Sequence, residues 1–84
     1  MIREIVVPKD LWPRRGDWRG KIINIYVSEG DKVSSGDQLF EIEIEKAVLV
    51  IESEHNGVIK KILVEPGDDV TPGDPVMIIE TSDD

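Results

Sequence analysis

The residue whose chemistry is hardest to explain away is Lys46. It lies in FEIEIEKAVLVIES, residues 40–53, behind three acids spaced two apart, Glu41, Glu43 and Glu45. The alternation of apolar and acidic residues from Phe40 to Glu45 is that of a half-buried strand. Continued unbroken, that strand would put the Lys46 ammonium on the buried side with Phe40, Ile42 and Ile44, with no partner to offset its desolvation. A hairpin with Glu45 and Lys46 as its two central residues removes the conflict. Ile44 then pairs with Ala47, Ile42 with Leu49 and Phe40 with Ile51, which puts six apolar side chains on one face. Glu41, Glu43, Val48, Val50 and Glu52 fall on the other. Glu-Lys is a weak turn sequence, because tight hairpins favour Asn-Gly or Asp-Gly, so a lysine at the tip calls for a chemical reason.

A lysine held in solvent is protonated at neutral pH and is a poor spontaneous nucleophile. Nothing in the sequence supplies the burial or cationic neighbour that would activate it. The carboxylates alternate along a solvated face and do not face one another across a cleft, so they make no acid–base pair. The absence of cysteine removes disulfides, thiolate metal sites and cysteine nucleophiles. A single histidine, His55, excludes His-rich zinc sites and a Ser-His-Asp arrangement is not indicated. No catalytic residue and no metal ligand set is therefore assigned, and from spacing alone Lys46 is either a solvated loop lysine or a site of modification.

The elements that position it follow from an internal repeat. Shifted by 37 residues, the segment from Gly20 lies on the segment from Gly57, with eleven identities in twenty-four positions, among them Gly30/Gly67, Asp31/Asp68, Gly36/Gly73 and Asp37/Asp74. The Gly-Asp pairs mark turns, and Pro66, Pro72 and Pro75 fall in or beside them. Between the turns stand Val, Ile, Leu, Phe and Tyr, which favour strands. The N-terminal IVVP aligns with the strand at Ile42. The expectation is an all-β fold, a flattened β-barrel or sandwich of two four-stranded antiparallel sheets with quasi-two-fold symmetry. Residues 1–80 form one domain, with half-repeats over about 4–44 and 47–80, and 81–84 are a polar tail.

Charge bounds the partners. The net charge of −8 is unevenly divided: residues 1–21 hold six Lys/Arg and three acids, the rest four lysines and fifteen acids. An acidic body repels phosphate, which argues against nucleic acid as a partner. No apolar run is long enough to span a membrane, and no signal-peptide h-region is evident, so a cytoplasmic protein is expected.

The pattern Gly30-Asp31-x-Val33, Gly36-Asp37, Glu43-x-Glu45-Lys46-Ala47, Gly67-Asp68-x-Val70, Gly73-Asp74 resembles the biotinyl/lipoyl attachment domains over residues 5–80. The resemblance implies the same flattened barrel, with Lys46 acylated at an exposed hairpin. Biotin carriers of this kind typically flank the lysine with methionines. Acid-Lys-Ala is the lipoyl pattern, although aspartate is commoner where Glu45 stands. It implies lipoic acid in amide linkage to Lys46, with biotin as the alternative cofactor. It also implies a lipoate ligase or lipoyl/octanoyl transferase as the modifying enzyme. The partners so implied are a thiamine-dependent 2-oxo acid decarboxylase, an acyltransferase core and a dihydrolipoyl dehydrogenase, between which the domain carries acyl groups and electrons. An unmodified adaptor of the same fold is the alternative from another class. Recognition near the hairpin is assigned to Glu43, Glu45, Ala47 and Val48, and to Trp12, Arg14 and Arg15 of the first loop, whose composition departs most from the family.

Overall fold

The computed structural model describes residues 1–8, 19–44 and 46–81. Eight strands follow in chain order: β1 (Ile2–Val6), β2 (Gly20–Ile25), β3 (Lys32–Val33), β4 (Gln38–Ile44), β5 (Ala47–Glu52), β6 (Gly57–Ile62), β7 (Asp69–Val70) and β8 (Pro75–Thr81). No helix occurs among the described residues. They form two four-stranded sheets, ordered β1-β8-β6-β3 and β5-β4-β2-β7, with every pairing antiparallel.

The repeat explains this architecture. β2, β3 and β4 map onto β6, β7 and β8 by the shift of 37, and the mapping exchanges the two sheets. Each sheet thus takes strands from both halves, because neither half can cover its own apolar face. The N-terminal strand corrects one expectation. Its counterpart is β5, not the strand at Ile42: Ile5 pairs with Met77 as Ile51 pairs with Phe40, and Met77 is Phe40 shifted by 37. The offset between β1 and β5 is therefore 46 residues. The nine extra residues lie in the connection before β2, a span of 13 residues (7–19) against four (53–56) before β6. Sequence matching at a fixed shift could not see past that length difference.

The turns are one device used four times. Gly30, Gly36, Gly67 and Gly73 all have φ between 89° and 98°, the left-handed region that favours glycine. The aspartate after each glycine accepts a backbone N–H three residues back: Ser28 to Asp31, Ser34 to Asp37, Glu65 to Asp68 and Thr71 to Asp74, at 2.8–2.9 Å. Glycine supplies the backbone angle and aspartate closes the loop.

Between the sheets lie Val7, Ile22, Leu39, Phe40, Ile42, Ile59, Val76, Met77 and Ile79, all fully buried. Leu39–Phe40 and Val76–Met77 are consecutive buried pairs, which strict alternation forbids. Each sits at a register shift, between Gln38 and Phe40 against β5 and at the equivalent place in β8 against β1. A bulge lets both neighbours turn inward. Gly57 fixes the spacing of the central strands β6 and β8: a Cβ there would overlap the Glu80 carbonyl oxygen and lie 2.9 Å from the Thr81 Cα. No side chain larger than hydrogen fits without moving backbone.

Candidate functional site at the β4–β5 hairpin

The hairpin register is the one that relieves the lysine conflict. Ile44 pairs with Ala47, Glu43 with Val48, Ile42 with Leu49, Glu41 with Val50 and Phe40 with Ile51. Two residues remain between the strands, and the second, Lys46, is an exposed turn residue. Glu45 lies outside the described residues, as do Trp12, Arg14 and Arg15. Ile44 is almost fully buried beneath the turn, so the tip stands on a packed strand end. The Lys46 amine is therefore presented to solvent at the end of a packed strand pair.

Ala47 departs from expectation. It shares a face with Ile44 but is exposed, because β5 is an edge strand and no other described strand flanks its outer side. Beyond the tip, Glu43 is exposed and Val48 and Val50 are 51% and 39% exposed on the outward face. The structure therefore brings Glu43, Lys46, Ala47 and Val48 together around one hairpin end.

Symmetry shows what is particular to this face. On the other sheet Glu80, the counterpart of Glu43, has an ion pair with Lys60 at 3.3 Å. The counterpart of Lys60 is Ile23, so Glu43 lacks that cation; the residue opposite Glu43 in β2 is Lys21.

Asn24 and Tyr26 were not singled out from the sequence. Asn24 Nδ2 donates to Glu41 Oε1 at 2.7 Å and the Tyr26 hydroxyl donates to the same oxygen at 3.1 Å. Simple alternation from the buried Ile22 would turn both inward. The register shift between Ile22 and Asn24 reverses the rest of β2 and places them outward beside Glu41. The usable signal was Ile22-Ile23, two adjacent apolar residues in an otherwise alternating strand.

Partial burial, and then the hydrogen bond and charge of Glu41, raise the Tyr26 pKa above the ordinary value of 10.0. The folded state therefore holds the phenolic proton more tightly than the unfolded chain. The stability so contributed is complete below the unfolded pKa and is lost as pH rises through the folded one. Tyr26 is the sole tyrosine, so phenolate absorbance reports it alone. Glu41→Gln is expected to move the titration midpoint down toward 10.0; an unchanged midpoint would show that Glu41 does not act on the phenol.

Among the described residues, no three of His, Cys, Asp and Glu stand together as a metal site. No helix among them is long and apolar enough to cross a membrane.

Comparison with known proteins bears on this arrangement. The sequence model of the family described as "Biotin-requiring enzyme", a biotin/lipoyl family, matches residues 14–79. The chain belongs to the biotinyl/lipoyl attachment domain family. Two curated relatives are the lipoamide acyltransferase components of the mitochondrial branched-chain alpha-keto acid dehydrogenase complexes of Bos taurus and Mus musculus. They are 43% and 41% identical over 56 residues, 67% of this chain. The match spans only 12% of the length of each. Among solved structures, the lipoyl domain of the 2-oxoglutarate dehydrogenase complex from Azotobacter vinelandii superimposes with a TM-score of 0.73. It has 24% identity, over 90% of this chain and 95% of that one. A single-chain, multi-domain long-chain acyl-CoA carboxylase matches with a TM-score of 0.78 and 21% identity, over 96% of this chain and 7% of that one. At these identities the structural matches establish the shared fold.

Proposed function

We propose that this biotinyl/lipoyl attachment domain is a lipoyl carrier, modified on Lys46, that serves a 2-oxo acid dehydrogenase-type complex. The observation that carries the reading is the placement of Lys46: an exposed primary amine in a two-residue turn, between an acidic residue and Ala47, on a buried strand end. That position fits an amide-linked cofactor, because Lys46 is exposed at the end of the hairpin. The lipoamide acyltransferase relatives support lipoic acid over biotin, as does the absence of methionine beside the lysine.

In this role the protein contributes position. The packed strands below Ile44 hold the Lys46 Cα in place, and the lysine side chain provides reach. Glu43, Ala47 and Val48 form the surface that a lipoate ligase or lipoyl/octanoyl transferase would read. The attached dithiolane supplies acyl and electron carriage, which no side chain here can perform. Tethering the group to one domain through the flexible lysine side chain raises its effective concentration at successive partner sites. Those partners are a thiamine-dependent 2-oxo acid decarboxylase, an acyltransferase and a dihydrolipoyl dehydrogenase, and the domain has no catalytic site of its own.

Intact-mass measurement on protein from lipoate-fed cells tests the reading. Wild type is expected to carry one lipoyl increment and Lys46→Ala none. A biotin increment on the wild type would replace lipoyl by biotin carriage. An increment that survives the substitution would remove Lys46 as the attachment point.

A further inference from the structure

The two sheets leave a groove along one seam, between β1 and β5, with a volume of about 320 Å³. Its apolar floor includes Ile5, Leu39 and Ile51, and its rim carries Glu4, Glu52 and Glu54. No lysine or arginine lines it among the described residues.

Both flanking strands are sheet edges. Ser53 and Val7 exchange backbone hydrogen bonds with the strand ends beside them, Ser53 with Asp37 and Gly36, Val7 with Asp74 and Gly73. Antiparallel alternation then turns the N–H and C=O groups of Val48, Val50 and Glu52 away from β4. On β1 the same alternation turns those of Ile2, Glu4 and Val6 away from β8. These groups have no backbone partner among the described residues.

Proteins protect sheet edges by shortness, charged side chains (lysine above all), proline, a bulge in the edge strand, or a covering helix or loop. The other two edges, β3 and β7, are protected by length, at two residues each. β5 has six residues, AVLVIE, with no lysine and no proline, and its register shift lies in the facing strand β4. An edge this long and apolar, beside an acidic groove, is suited to accept another strand.

We propose that the groove receives an extended segment of a partner protein, in which Lys or Arg alternates with apolar residues, and that this segment pairs with the outer edge of β5. Apolar side chains of the segment would enter over Ile5, Leu39 and Ile51, and its cations would meet Glu4, Glu52 and Glu54. Strand addition of this type draws affinity from main-chain hydrogen bonds and specificity from alternate side chains. Glu52 lies six residues from Lys46, roughly 20 Å along the strand, so the segment can be held while the amine stays accessible. The site serves as a tether, and it does not depend on modification of Lys46.

The test uses the isotope-labelled full chain and a degenerate hexapeptide pool in which Lys or Arg alternates with Ile, Leu, Val or Thr, followed by amide NMR. The basic pool is expected to move the resonances of Ile5, Val6 and residues 51–55 and to slow hydrogen exchange at Val50 and Glu52. Glu52→Lys combined with Glu54→Lys should weaken the interaction at least about tenfold, a loss consistent with reversed charge at a close contact. Lys46→Ala should leave it unchanged. Groove resonances that stay in place at millimolar pool would overturn the proposal. So would equal binding of a pool with Asp and Glu in place of the cations, or full competition by spermidine. A chain that already dimerises with Val50 and Glu52 protected would also overturn it, assigning the edge to a second copy.

Discussion

Moving the lysine by a single residue, in the double variant Lys46→Ala with Ala47→Lys, is expected to reduce enzymatic acylation on the order of 100-fold or more while leaving the fold intact. Position 46 is a turn residue, whereas position 47 opens β5 and is held in register opposite Ile44. Successive strand residues point to opposite faces, so the relocated amine would emerge from the flank of the hairpin instead of its apex. A transferase active site built for the apex would then meet the amine several ångströms out of place, and errors of about 1 Å already cost about 100-fold in positioned reactions. Composition, net charge and the number of exposed amines are unchanged. Time-resolved intact mass with a purified lipoate ligase reads the rate, and thermal unfolding checks the fold. Modification at the wild-type rate would mean that the ligase reads an unstructured segment and not a presented turn.

The hairpin was legible in the sequence because burying Lys46 has a cost that no partner in FEIEIEKAVLVIES offsets, and a chain reversal at Glu45-Lys46 avoids it. The repeat was legible for a related reason: four Gly-Asp turns need the same left-handed glycine and the same side-chain acceptor, so the physics preserves both residues. Three features escaped for physical reasons of their own. The match of β1 to β5 is hidden by nine extra residues in the connection before β2, which alter the spacing of the repeat without altering the sheet order. Asn24 and Tyr26 were hidden by a bulge, since one unpaired residue reverses every side chain after it. The groove between β1 and β5 depends on how two edges approach across the sandwich, and no local pattern encodes that distance. Its acids, Glu4, Glu52 and Glu54, come from segments almost fifty residues apart.

Phe40→Ala is expected to destabilise the domain by about 3–5 kcal/mol, the loss usual for a large buried aromatic replaced by alanine. Phe40 is fully buried and is paired on one side with Ile25 of β2 and on the other with Ile51 of β5. Its ring is therefore enclosed from both flanks as well as by the facing sheet, and the cavity left behind has little room to collapse. The whole margin for a chain of 84 residues is about 4–13 kcal/mol, so this single substitution removes about a quarter of it or more. Met77 occupies the symmetry-equivalent place and is also fully buried; Met77→Ala should cost about 2–5 kcal/mol. The sum, about 5–10 kcal/mol, is comparable to the whole margin, and the double variant is expected to sit close to its unfolding midpoint at room temperature. Urea denaturation checks each single variant through its midpoint, with the slope unchanged if the denatured chain is unaffected. The consequence for function is specific. Phe40 is four residues from Ile44, on the strand that carries the tip, so loosening its packing loosens the support of Lys46, whereas Met77 lies in the equivalent strand that carries no hairpin lysine. At matched stability, Phe40→Ala should slow acylation of Lys46 more than Met77→Ala. Equal rates would show that the hairpin is presented by its own turn and not by the core beneath it.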